Sequence, residues 1–194
     1  MHDLKTLVVG ELQTNCYIVS TPSGEGIVID PGDEEIEILN YIENNKLNIK
    51  YIINTHSHPD HIKGDLYIKE RTKAPILIHK NDSKMFSTFL GDFFDKYLED
   101  GDIVSVGNLE IKVMHTPGHS KGSICLLLDN TVFTGDTLFA DGVGRTDLPG
   151  GSHDELIESI NNKLLILDDD YKIYPGHGGN STIGHERKHN PFLS

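Results

Sequence analysis

Residues 50–61 read Lys50-Tyr51-Ile52-Ile53-Asn54-Thr55-His56-Ser57-His58-Pro59-Asp60-His61. An apolar, strand-forming run is followed at once by three imidazoles and a carboxylate within six positions. A hydrophobic core has no use for such a cluster, and a solvated face does not need one. Imidazole nitrogen with carboxylate oxygen is the donor set of zinc, iron or manganese. On an extended segment His56 and His58 project to the same side and can grip one ion. Asp60 and His61 open the next helix and face elsewhere, which suits a second ion. The stretch thus predicts a strand delivering metal ligands at its C-terminal end, where a sheet holds them firmly.

Three later segments repeat this design of an apolar strand running into a Gly- or Pro-bearing loop with His or Asp. They are Val113-Met114-His115-Thr116-Pro117-Gly118-His119, Val132-Phe133-Thr134-Gly135-Asp136 and Ile173-Tyr174-Pro175-Gly176-His177. Around them, periodicity predicts strands over Leu4–Val9, Cys16–Val19 and Gly26–Ile29, then a helix over Glu34–Asn45 capped by Asp33. A helix from Asp60 to Arg71 and a strand over Pro75–Ile78 follow. Phe- and Leu-rich helices are expected within Asn81–Asp100. Ile103–Val106, Leu109–His115, Ser123–Leu128 and Thr131–Thr134 read as strands joined by Gly and Asn turns. Ser152-His153-Asp154-Glu155 is a capping box opening a helix whose stripe is Leu156, Ile160, Leu164 and Leu167. Lys172–Tyr174 reads as a last strand and Thr182–His189 as a short helix. Strands then helix, twice over, predict an α+β chain of two packed sheets with helices outside.

At 194 residues the chain suits a single domain, 1–194. A net charge of −13 offers no basic stripe for nucleic acid and no attraction to an anionic membrane. No stretch approaches the ~20 apolar residues of a membrane span. Met1-His2-Asp3-Leu4-Lys5 lacks the basic and long apolar parts of a signal peptide, so a cytoplasmic location is expected. Cys16 and Cys125 form no Cys-x-x-Cys pair and read as buried reduced thiols. The eleven histidines are the compositional anomaly. His2, His79, His115, His153, His185 and His189 are expected mostly at the surface or behind the site.

His-x-His-x-Asp-His followed by a distant His, Asp and His resembles the signature of the metallo-β-lactamase superfamily, over essentially the whole chain. The resemblance implies a four-layer αββα sandwich of two mixed β-sheets and a centre for two divalent metal ions: zinc, with iron or manganese as alternatives. His56, His58 and His119 would hold the first ion. Asp60, His61 and His177 would hold the second, with Asp136 between them. Two such ions about 3.5–4 Å apart share a water and lower its pKa to near 7. Asp60 would orient that nucleophile and shuttle its proton, the catalytic role.

Within the superfamily, His61 and Asp136 depart from the commonest β-lactamase subclass, which uses a cysteine ligand. His58 departs from flavodiiron proteins, which have a carboxylate there. Gln13-Thr14-Asn15-Cys16-Tyr17, Thr116-Pro117-Gly118-His119-Ser120, Gly135-Asp136-Thr137-Leu138-Phe139 and Gly144–Gly151 resemble the short, single-domain glyoxalase II-like (hydroxyacylglutathione hydrolase-like) branch. So do Thr182-Ile183-Gly184 and Asn190-Pro191-Phe192-Leu193. That resemblance implies a thiolester hydrolase acting on S-lactoylglutathione or related acyl-thiols, a small-molecule partner. The chain is too short for the C-terminal helical glutathione-binding domain of full-length members. Gly144-Arg145-Thr146 stands where they carry Gly-Lys-Phe/Tyr. Arg145 either clamps a substrate carboxylate or forms an ion pair with Asp147. The chain also resembles persulfide dioxygenases, which hold one iron through the equivalents of His56, His119 and Asp136. Gly176-His177-Gly178-Gly179, where that family usually has Ala-His-Asp-Tyr, favours the hydrolase. A lactonase shares the same metal chemistry.

Overall fold

A computed structural model describes residues 2–83 and 93–193. Two six-stranded sheets lie face to face. The first runs β1(Asp3–Val9), β2(Thr14–Ser20), β3(Glu25–Ile29), β4(Asn48–Ile53), β5(Ile76–His79), β6(Lys96–Leu98) in spatial order. Its first three strands are antiparallel, whereas β3 to β6 run parallel. The second is ordered β14(Ser181–Thr182), β13(Lys172–Pro175), β10(Thr131–Gly135), β9(Ile124–Leu128), β8(Leu109–His115), β7(Ile103–Val106). It is antiparallel except where β10 and β13 run side by side, and β11(Leu138–Phe139) pairs with β12(Gly142–Val143) in a separate two-stranded ribbon.

Period-two alternation divides the strands between three apolar layers. Tyr17, Val19, Ile27, Ile29 and Ile53 meet Ile111, Val113, Leu126 and Phe133 between the sheets. Cys16, Ile18, Val28 and Ile52 face the other way, onto Ile38, Leu39 and Ile42 of α1(Glu35–Asn44) and Ile68 of α3(Asp65–Thr72). Behind the second sheet, Cys125, Val132 and Ile173 pack on Leu156, Ile160, Leu164 and Ile183. This is the expected αββα arrangement. Cys16 and Cys125 are buried free thiols.

Several local expectations give way to tertiary contacts. Asp33 does not cap α1: Glu34 holds the N-cap position in a left-handed conformation without a side-chain cap bond, and Asp33 pairs with Lys63 instead. The helix expected over Asp60–Arg71 is two, α2(Pro59–Ile62) and α3, parted where Gly64 N–H donates to the Pro31 carbonyl at 2.8 Å. Lys96–Leu98 is a strand rather than a helix, because β5 offers it a parallel edge. Residues 84–92 of that expected helical region lie outside the described residues. In the capping box only Ser152 acts, accepting from Glu155 N–H. The Gly118 carbonyl takes the Ser152 N–H and Glu155 pairs with Lys121, so the reciprocal bond is lost. The helix then widens into a π-helical turn over Ile160–Leu164, short of Leu167.

His79, at the end of β5, is buried rather than superficial and stacks on His115, ring centroids 4.0 Å and planes 9° apart. Burial, helped by the neighbouring imidazole, pushes His79 down to about 4 from the ordinary 6.5. Between those values the unfolded chain binds the proton and the folded chain does not, so stability falls as pH drops. We expect wild type to lose about 2 kcal/mol more than His79→Phe between pH 7 and pH 4.5, read from urea midpoints. Equal losses would refute this.

Candidate metal centre

β4 ends at Ile53, and the chain after it rides up over the edge between the sheets. His58 is the extended N-cap of α2, which carries Asp60 and His61 into the centre, where the His61 ring stands 4.1 Å from that of His56 rather than facing away from it. Gly135 has φ +47, and a Cβ there would overlap the Thr55 hydroxyl, so the chain after β10 closes onto the His56 loop. The loop after β13 is held by the opening strands. Asn15 donates to the carbonyls of Pro175 (2.9 Å) and Gly178 (3.0 Å), the Tyr17 hydroxyl donates to Pro175 (2.7 Å), and Thr14 bridges His177.

All seven ligand candidates meet. His119 Nε2 lies 3.2 Å from His56 Nε2 and 2.8 Å from His58 Nδ1. Beside this group His177 Nε2 lies 3.4 Å from His61 Nε2 and 3.2 Å from Asp60 Oδ2. Asp136 faces both: Oδ1 is 3.4 Å from His61 Nε2, while Oδ2 is 3.5 Å from His119 and 3.6 Å from His177. The ligand atoms of His56, His58 and His119 lie within 4.8 Å of one another, as do those of Asp60, His61 and His177.

The outward nitrogens explain which atoms converge. His61 Nδ1 is 3.0 Å from Asp30 Oδ2, His119 Nδ1 is 2.8 Å from the Arg145 carbonyl, and His177 Nδ1 is 3.0 Å from the Leu12 carbonyl. His56 Nδ1 lies 3.1 Å from the Thr55 hydroxyl, which itself donates to Asp30. Each acceptor takes the Nδ1–H and turns Nε2 inward, where it is the nitrogen a cation would meet. Lone pairs at these separations repel, and Asp136 Oδ1 is buried without a hydrogen-bond partner. A Cβ on Gly176 would overlap Asp136 Oδ1, so the absence of a side chain keeps that oxygen's approach open. Donor set, convergence and orphaned oxygen all fit divalent cations.

Electrostatics agrees. Burial, reinforced by neighbouring imidazoles, pushes His56 and His58 below the usual histidine range, the neutral state a ligand needs. Burial opposes ionisation of Asp60 and Asp136, but His177 and His61 outweigh it and keep both carboxyls low. Burial likewise opposes charge on His61 and His177, and the carboxylates around them overcome it, so positive charge is favoured there.

Sequence reasoning missed the groups that orient these ligands. Asp30 follows β3 with no motif around it, and the Arg145 and Leu12 carbonyls carry no side-chain signature. Thr14, part of the quoted Gln13–Tyr17 stretch, donates its hydroxyl to Asp60 Oδ2 at 3.1 Å. The Arg145 guanidinium forms a bidentate pair with Asp147, both bonds 2.7 Å, and both side chains are exposed.

Two facing mixed sheets carrying a two-lobed His/Asp centre at one edge define a metallo-hydrolase-type fold and site. The chain belongs to the metallo-beta-lactamase superfamily, whose model matches residues 9–177. The Haemophilus influenzae hydroxyacylglutathione hydrolase GloC is 33% identical, over 99% of this chain and 98% of that one. Among solved structures, the BLEG-1 B3 metallo-beta-lactamase superposes with a TM-score of 0.91 at 32% identity, covering 99% of this chain and 100% of that one. ETHE1 from Myxococcus xanthus gives 0.88 at 32%, covering 97% and 83%. TTHA1623, solved in a di-iron-bound form, gives 0.85 at 33%, covering 97% and 100%.

Proposed function

We propose that this chain is a two-metal hydrolase of small acyl-thioesters, of the hydroxyacylglutathione hydrolase kind. The observation that carries the proposal is Asp136, whose carboxylate stands between the two groups, Oδ1 beside His61 and Oδ2 beside both His119 and His177. The likeness to GloC supports the substrate class, and the di-iron form of TTHA1623 supports two ions. His56, His58 and His119 would hold one ion, and Asp60, His61 and His177 the other. Bound there, divalent zinc, iron or manganese would acidify a shared water and polarise the thioester carbonyl.

The chain's own residues do the rest. Asp60, kept ionised chiefly by His177 and oriented by Thr14, accepts the proton of the attacking water and passes it to the departing thiolate. The Phe139 ring, 6.3 Å from that of His177, supplies an apolar wall beside the second group. Exposed Arg145 places a cation at the rim for a carboxylate on the acyl-thiol, exchanging Asp147 for it. The reading places the enzyme in the cytoplasm, where Cys16 and Cys125 remain thiols. No helix among the described residues is long and apolar enough to cross a membrane.

A mononuclear iron persulfide dioxygenase is the second reading. The likeness to ETHE1 favours it, as does the place of His119, whose Nε2 is 3.2 Å from His56 Nε2 and 3.5 Å from Asp136 Oδ2. Metal content of protein purified without chelator or added metal decides between them, together with two assays. Two ions per chain and hydrolysis of S-lactoylglutathione are expected. One ferrous ion, with oxygen uptake on glutathione persulfide and no thioester cleavage, would overturn the hydrolase.

A further inference from the structure

Asp82 is not among the ligands, yet it ties together the two loops that carry the three-histidine group. It is fully buried on the helical turn of residues 80–83, just after β5. Its Oδ2 accepts the Ser57 N–H at 2.9 Å and the Ser120 hydroxyl at 2.8 Å, and its Oδ1 accepts the Gly122 N–H at 2.5 Å. Ser57 sits between His56 and His58, and Ser120 follows His119. A Cβ on Gly122 would stand 2.6 Å from both Asp82 Oδ1 and Asp82 N, so the close approach depends on that glycine. The Ser120 hydroxyl, 2.7 Å from that of Ser123, fastens the His119 turn to the same carboxylate.

None of these three bonds reaches the second group. His61 has its own supports in Asp30, at 3.0 Å from Nδ1, and in Asn54, which donates to the His61 carbonyl at 3.3 Å. His177 is held from Leu12 and Asp60 from Thr14. Asp30 reaches both lobes, through Thr55 to His56 and directly to His61, whereas Asp82 braces the first alone.

We infer that Asp82 is a positioning residue for the His56, His58 and His119 group alone, setting the affinity of the first ion independently of the second. The inference rests on the two-metal reading above. Because both carboxylate oxygens accept, Asp82→Asn must turn an amide N–H2 towards either the Gly122 or the Ser57 N–H, whichever way it rotates.

The test measures Zn2+ affinity by competition with a chromophoric chelator in two backgrounds. His177→Ala disables the second group, and there Asp82→Asn should weaken the remaining ion about 10–100-fold. His56→Ala disables the first, and there Asp82→Asn should leave the remaining ion within about twofold. Equal weakening in both backgrounds would overturn the inference in favour of a general structural role, and no weakening in either would overturn it outright. Should Asp82→Asn fail to fold, Ser120→Ala removes one of the three bonds and should show a smaller loss in the His177→Ala background only. A wild-type chain that takes up a single Zn2+ would defeat the two-metal reading, while the His177→Ala comparison would still decide on Asp82.

Discussion

Asp136→Ala should lose both metal ions and about a thousandfold in kcat/KM, while the chain stays folded. The side chain stands where the two groups meet, with Oδ1 beside His61 and Oδ2 beside both His119 and His177, and no other described carboxylate faces both His61 and His119. Without it, five imidazoles and one remaining carboxylate must hold four units of positive charge. That is a poor match for two divalent ions in a site that excludes most water. Asp136→Asn keeps the shape and removes the charge, so it should fare little better. Metal analysis after gel filtration, alongside thioester hydrolysis, checks both. Two ions and activity within tenfold of wild type in the alanine variant would show that Asp136 does not join the lobes.

The second large effect belongs to Asp30, which never touches the reacting atoms. Its buried carboxylate accepts the Thr55 N–H at 2.7 Å and the Thr55 hydroxyl at 2.7 Å, and faces His61 Nδ1 at 3.0 Å. Asp30→Ala strands those donors in the interior, at about 1–3 kcal/mol for each group left unpaired. Asp30 also has φ +50, a left-handed conformation that aspartate tolerates better than alanine. We expect a total loss of about 3–5 kcal/mol, with Asp30→Asn losing less because it keeps an acceptor and suits the backbone. Urea unfolding with a chelator present separates this from metal loss. A loss under about 1 kcal/mol would mean that Thr55 and His61 find other partners.

The seven residues that meet at the centre were legible because their chemistry leaves little else for them to do. Three imidazoles after Ile52-Ile53 cannot be core, and the same strand-then-loop design marks His119, Asp136 and His177. The sheets were legible where alternation is strong, as in Leu109–His115, and the turns where Gly and Asn punctuate. What failed was decided at a distance. Lys96–Leu98 has only three residues of pattern, and its partner β5 settles its state. The break at Gly64 comes from the Pro31 carbonyl, and the freed Asp33 comes from Lys63. Asp30, Asp82 and the Leu12 and Arg145 carbonyls act through single hydrogen bonds that leave no spacing to read. Arg145 shows the division: its side chain drew notice, while the structure uses its carbonyl to orient His119.

Asn15 and Tyr17 grip Pro175 across 160 and 158 positions of chain. A ribosome adding about 5–20 residues per second needs on the order of ten to thirty seconds to cover that interval. Within it the His56–His61 segment is made first, His119 and Asp136 follow, and His177 comes only after Pro175. Metal capture that uses all seven ligands is thus an event of the finished polypeptide. The ion taken up there then depends on which divalent cations the surroundings supply once His177 has been added.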